Sequence, residues 1–180
     1  MKILILGNAR HGKDSLAEQL AKHFKMTFKS SSEMAMELFI FNDISEDMGY
    51  STMDECFRDR LNHRQLWYEM ICDYNKNDRA RLAKDILNEY DCYVGMRDLE
   101  EFEASKDLFD VIIWVDASKR LETTENTNKI PMVCANIIIT NNGTFDEFDT
   151  KSKVLGNILF NLTTKGDINK GFFKSNNLVW

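Results

Sequence analysis

No apolar run in the chain approaches the roughly 18 residues that a membrane span requires, so a hydrophobic membrane-crossing helix is not expected. Nor is there a cysteine framework. Cys56, Cys72, Cys92 and Cys134 are widely scattered, with neither zinc nor redox spacing, and read as isolated reduced thiols. Positive charge is not in excess: 23 Lys+Arg against 29 Asp+Glu give a formal net charge of -6. That balance argues against a large basic nucleic-acid face, although it leaves room for a local patch. Internal repeats, low-complexity tracts and interdomain linkers are also missing. The apolar start, Met1 to Leu6, is too short for a signal peptide, which points to the cytoplasm.

What is present suits one globular domain. The 180 residues are enough to bury a full core, and the shares of 43% hydrophobic and 29% charged residues are ordinary for a soluble protein. Ile3-Leu4-Ile5-Leu6 reads as a buried parallel strand. Further strands are expected at 26–29, 93–95, 111–115 and 136–140. Leu16, Ala17, Leu20, Ala21 and Phe24 recur at helical spacing, so a helix is expected over 15–24. Other helices are expected over 32–41, 52–60, 64–74, 78–88, 100–105 and 147–162. This alternation implies an α/β fold, a five-stranded parallel sheet flanked by helices on both faces. The tail, about 163–180, is rich in Asn, Lys and Gly but ends Leu178-Val179-Trp180, so docking and looseness both stay open.

Between the first strand and the first helix lies Gly7-Asn8-Ala9-Arg10-His11-Gly12-Lys13, which fits G-x-x-x-x-G-K. This strand–loop–helix setting gives the Walker A motif its meaning. Glycines let the backbone curl so that successive N–H groups face phosphate oxygens. The helix start adds its positive dipole end, and Lys13 reaches the β- and γ-phosphates. The loop thus predicts a P-loop NTPase fold that takes ATP through residues 7–15. Ser or Thr commonly follows the lysine and holds Mg²⁺, but here Asp14 comes first and Ser15 second. Either Ser15 contacts phosphate or metal while Asp14 holds a metal-bound water, or Asp14 caps the helix. Arg10 and His11 either lean over the phosphates from the loop crown or are solvated.

The Gly12-Lys13-Asp14-Ser15 variant resembles the Gly-Lys-Asp-Thr loop of phage deoxynucleoside monophosphate kinases. Asp91 to Arg97 is similar to their third strand, although Gly95 stands where an aspartate is usual. Val111 to Arg120 looks like a fourth strand leading into a lid, and Asn136 to Thr144 resembles the fifth strand and adenine-side loop of dephospho-coenzyme A kinases. General form is also similar to phage kinases that phosphorylate 5-hydroxymethyluracil within DNA. The resemblance implies a nucleoside-monophosphate-kinase-like fold with a helical acceptor-side insertion at about 30–88 and a short lid at about 120–135. It places Asn141 and Gly143 beside ATP and, for a phage-encoded chain, puts the protein in the host cytoplasm.

Phosphoryl transfer depends on positive charge around the migrating group. Arg97, just past the third strand, is a candidate phosphate contact, with an ion pair to Asp98 or Glu101 as the alternative. Arg58, Arg60 and Arg64, with His63 between them, fall in the insertion. Arg60 and Arg64 lie one turn apart if that helix is continuous. Their alternative is surface pairing with Asp54, Asp59 or Glu69. Phe57, Trp67, Tyr68 and Tyr74 suit either a core or a base-stacking wall. Arg120 opens the lid as a candidate catalytic cation, with Lys119 and Lys129 behind it. Asp116 either orients Mg²⁺ through water or caps the next element, and Glu33 is a candidate proton acceptor.

These residues support three functional classes. The first is an ATP- and Mg²⁺-dependent kinase for a deoxynucleoside monophosphate, and the second a DNA base kinase. The third is a non-catalytic nucleotide-binding regulator. Dephospho-coenzyme A kinase chemistry is a lesser alternative, and self-association as a homodimer is left open.

Overall fold

The computed structural model describes residues 1–121, 128–164 and 178–179. The first strand, β1 (Ile3–Leu6), is buried on both faces. Ile3 and Ile5 join one core with α1 (Lys13–Phe24) and α8 (Phe145–Thr164). Leu4 and Leu6 join the opposite core, where they meet Leu82 and Ile86 of α6 (Arg81–Glu89) and Phe102 of α7 (Leu99–Ser105). A continuous apolar run is therefore what a central strand with helices on both sides demands.

The other strands are β2 (Phe28–Ser30), β3 (Cys92–Val94), β4 (Val111–Asp116), β5 (Ile137–Thr140) and β6 (Leu178–Val179). All described pairings are parallel, in the order β2-β3-β1-β4-β5-β6. The five expected strands are present. The sixth arises because Leu178 and Val179 pair with Ile137 and Ile138, so these two tail residues dock. Residues 165–177 and 180 of the expected tail, and 122–127 of the expected lid, lie outside the described residues.

The segment after β2 is helical, but its helices differ from the simple pattern. Ser30 and Glu33 form a capping box that starts α2 (Ser31–Ala35). A π-helical turn at Met36–Ile40 leads into α3 (Phe41–Met48), so the helical path runs well past Phe41 and stops only at the left-handed Gly49. Next come α4 (Met53–Asp59) and α5 (Arg64–Tyr74). Ala35, Met36, Ile40, Ile44, Cys56 and Trp67 give this insertion a core of its own. Among the described residues no helix is long and apolar enough to cross a membrane.

Candidate active site

The C-terminal end of β1 runs straight into the glycine loop. There the chain path leaves β1 toward β2 on one side, while β4 lies on the other, the arrangement that opens a crevice in a parallel sheet. Two glycines are fixed by close approach. Gly7 has φ 144°, and a Cβ there would lie 2.5 Å from the Val115 carbonyl oxygen. Gly12 has φ 99°, and its Cβ would lie 2.5 Å from Asn141 Nδ2. Left-handed backbone also occurs at Arg10, φ 63°, a conformation few side chains adopt readily.

Lys13 begins α1 and is half-buried. Its Nζ donates to the Asn8 carbonyl at 2.8 Å, inside the loop it serves. Desolvation pushes its pKa down to about 8, with the nearby Arg97 charge adding to the effect and Asp14 opposing it. Asp14 lies in the first turn of α1, while Gly12 is the N-cap and receives no side-chain cap bond. The capping alternative for Asp14 therefore fails. The carboxylate instead lines the cavity beside Lys13. Ser15 is partly buried and is not among the lining residues.

His11 fits neither expectation for it. Its side chain is 1% exposed, and Nδ1 accepts the Ala117 N–H at 3.0 Å. Its carbonyl accepts Asn141 Nδ2 at 3.0 Å. Asn141 thus braces the loop from the end of β5, and its own N–H donates to the Asp116 carbonyl. Gly143 sits against Glu147, whose carboxylate accepts the Thr144 N–H at the start of α8. Arg120 is exposed, and its Nε donates to the Asn141 carbonyl at 3.2 Å. It stands on the β5 side and is not among the cavity-lining residues. Asp116 accepts from the Ser118 N–H and hydroxyl, which makes it the cap of a turn rather than of a helix.

A cavity of about 550 Å³ extends from Lys13 and Asp14 into the helical insertion. Arg10, Arg60, Arg64 and Arg97 all line it, so the structure brings two separated arginine segments, 60–64 and Arg97, to one space with the loop and its Arg10. Arg60 and Arg64 do not share a continuous helix, because α4 ends at Asp59 and α5 begins at Arg64. Arg60 lies over the Phe57 ring at 3.8 Å and donates to the Phe57 carbonyl. Desolvation lowers its pKa, while Asp14 and Glu33 favour its charge. Asp59 accepts from Tyr50 and Asn62 and pairs with His63, and Glu69 accepts from Gln65. Arg58 is exposed and outside the lining set.

Glu33 lines the cavity, but Oε2 accepts from both the Ser30 N–H and hydroxyl, so the expected proton acceptor is committed to a helix cap. Trp67 is 5% exposed and serves both the insertion core and the cavity wall. Tyr68 donates to Asp98 at 2.8 Å and accepts from Lys129 Nζ at 2.7 Å. The Lys129 N–H donates in turn to the Arg97 carbonyl.

Glu101, one of the two alternative ion-pair partners named for Arg97, is 3% exposed and accepts from Tyr93 OH at 2.8 Å. Burial pushes its pKa up to about 8, with the Asp98 charge adding to the rise. The sequence hint was helical spacing: Glu101 shares its face of α7 with Ser105, which is fully buried.

The parallel sheet, its strand order and the glycine loop define a P-loop NTPase fold. No protein-family model matches the sequence, and no curated protein matches it. Among solved structures the chain is similar to shikimate kinase from Aquifex aeolicus vf5. The identity is 15% and the TM-score 0.45, over 87% of this chain and 95% of that one. A likeness at that level carries no functional argument, so function rests on this chain's own residues.

Proposed function

We propose that the protein is a phosphotransferase that moves the γ-phosphate of ATP to a small anionic acceptor, a deoxynucleoside monophosphate. The observation that carries this reading is the single cavity shared by Lys13 of the phosphate loop and by Arg60, Arg64 and Arg97. Backbone N–H groups of residues 7–13 and Lys13 bind the donor phosphates. The arginine forks bind the acceptor phosphate and bring one of its oxygens in line with the γ-phosphorus. That oxygen forms the new P–O bond as the bond to the β-phosphate oxygen breaks, releasing ADP. The attacking oxygen is already anionic, so the engagement of Glu33 in a cap removes nothing the reaction needs.

Asp14 fits Mg²⁺, a hard cation that prefers carboxylate, water and phosphate oxygens. Asp14, with Ser15 next in the helix, is the residue to hold it, and the ion would neutralise phosphate charge. A cavity of about 550 Å³ lies within the range of roughly 300–1,000 Å³ usual for small ligands. That volume and the net charge of -6 favour a free nucleotide over a hydroxymethylated base in DNA. Incubation with labelled ATP, Mg²⁺ and a panel of deoxynucleoside monophosphates tests the proposal. A labelled diphosphate is expected. Label on hydroxymethyluracil-containing DNA, with none on free nucleotides, would select the DNA kinase instead; ATP binding without turnover on any acceptor would select the regulator.

A further inference from the structure

We infer that His11 is a positioning residue whose neutral imidazole locks the crown of the phosphate loop to the ends of β4 and β5, and that placing a proton on it weakens ATP binding. The inference rests on the nucleotide-binding part of the proposed function and adds a residue and a control to it.

The lock has two bonds from one residue. Nδ1 accepts the Ala117 N–H at 3.0 Å, just beyond β4, and the carbonyl accepts Asn141 Nδ2 at 3.0 Å, just beyond β5. His11 lies between the strained Arg10 and Gly12, in the stretch where loop curvature aims N–H groups at phosphate. A nitrogen that accepts an N–H must carry a lone pair, so a doubly protonated ring cannot make the Ala117 bond. The Ala117 N–H would then be a buried donor without its acceptor.

Surrounding charges are mixed. The Asp116 carboxylate, 3.9 Å from Nδ1, and the Val115 carbonyl favour a proton. Lys13 on α1 and Arg120 in the turn after β4 oppose it, and Asn141 on the β5 side is uncharged. Burial is the largest influence, and the balance lowers the His11 pKa below its ordinary value. The lock is therefore closed at neutral pH and opens as the solution turns acid. Nothing in this arrangement requires His11 to touch ATP, since its ring faces the strand ends.

The test compares ATP affinity of the full chain by calorimetric titration from pH 5.5 to 8. The variants are His11→Asn, His11→Leu and Lys13→Met. Asn places an oxygen acceptor near the Nδ1 position and does not titrate, whereas Leu removes the acceptor. Affinity is read as the ratio of variant to wild type at each pH, so ionisation of ATP itself cancels. We expect His11→Leu to bind at least about tenfold more weakly than His11→Asn at pH 8. The His11→Asn ratio should rise measurably in favour of the variant as pH falls toward 5.5.

A flat His11→Asn ratio across this range would overturn the inference, as would wild-type affinity in a folded His11→Leu variant. If His11→Leu fails to fold, the His11→Asn ratio alone decides. Lys13→Met separates the two levels of the argument. Its loss of ATP binding, with the His11 variants unaffected, rejects only the His11 role. Its unchanged ATP binding rejects the nucleotide loop, and the His11 inference with it.

Discussion

Lys13 is a cation held where burial works against its charge, and its pKa of about 8 makes that cost readable in two opposite directions. The unfolded chain keeps an ordinary lysine, so between about 8 and 10.5 it binds more protons than the folded chain. The Lys13 contribution to stability is therefore unfavourable at neutral pH and is relieved as pH rises through that window. ATP affinity runs the other way, since the charge that meets the phosphates is lost above about pH 8. Lys13→Met should remove both trends. At pH 7 the variant should melt about 2–4 °C higher, as roughly 1 kcal/mol would produce in a chain of this size. It should also lose roughly 100-fold or more in phosphotransfer. Calorimetric melts and initial rates from pH 7 to 10 check both, and a Lys13→Met variant that melts lower than wild type at pH 7 would reject the argument.

At the scale of elements, α7 and β3 form a support beneath the cavity. Tyr93 OH on β3 donates to Glu101 on α7, and Asp98 caps that helix while accepting Tyr68 from α5. Glu101 has its pKa raised to about 8 from 4.5, so between those values the folded state binds more protons than the unfolded one. Its contribution to stability is present at low pH and is lost as pH rises through about 8. Glu101→Gln keeps a hydrogen-bonding group of the same shape without the titration. Denaturant melts between pH 5 and 8.5 should show a shallower fall in stability for the variant than for wild type. Equal slopes would show that Glu101 ionises normally.

The elements also show which features local pattern reveals. β1, β4 and β5 are nearly continuous apolar runs, and α5 matches its expected bounds, because their signals lie within the segment itself. The run past Phe41 was hidden because Asn42, Asp43 and Ser45 read as loop residues, while Ile44 alone supplies the buried anchor of α3. His11 and Glu101 were misplaced for a different reason. Each is polar and buried through a partner on another element, Ala117 just beyond β4 for His11 and Tyr93 on β3 for Glu101. The glycine loop was legible because its chemistry is local, whereas the proposed arginine wall depends on residues 60–64 and Arg97 meeting in space.

For the molecule as a whole, the cavity lies between two bodies of buried side chains, the sheet cores and the separate core of the insertion. Trp67 belongs to the insertion core and also faces the cavity, with its ring 6.2 Å from Phe57, the ring on which Arg60 rests. An acceptor phosphate that draws Arg60 away from Phe57 changes the polarity around Trp67. ATP phosphates at the loop reach Lys13 first and touch this wall less. Trp114 lies in the opposite sheet core, and Trp180 is the remaining tryptophan. A Trp114→Phe/Trp180→Phe double variant thus isolates Trp67. Its emission should shift when a deoxynucleoside monophosphate is added and stay nearly constant with ATP alone. The shift should weaken about tenfold in apparent affinity when Arg60→Ala removes one charged contact. A response to ATP but none to any monophosphate would place the acceptor away from Trp67 and reject the arginine wall as its binding surface.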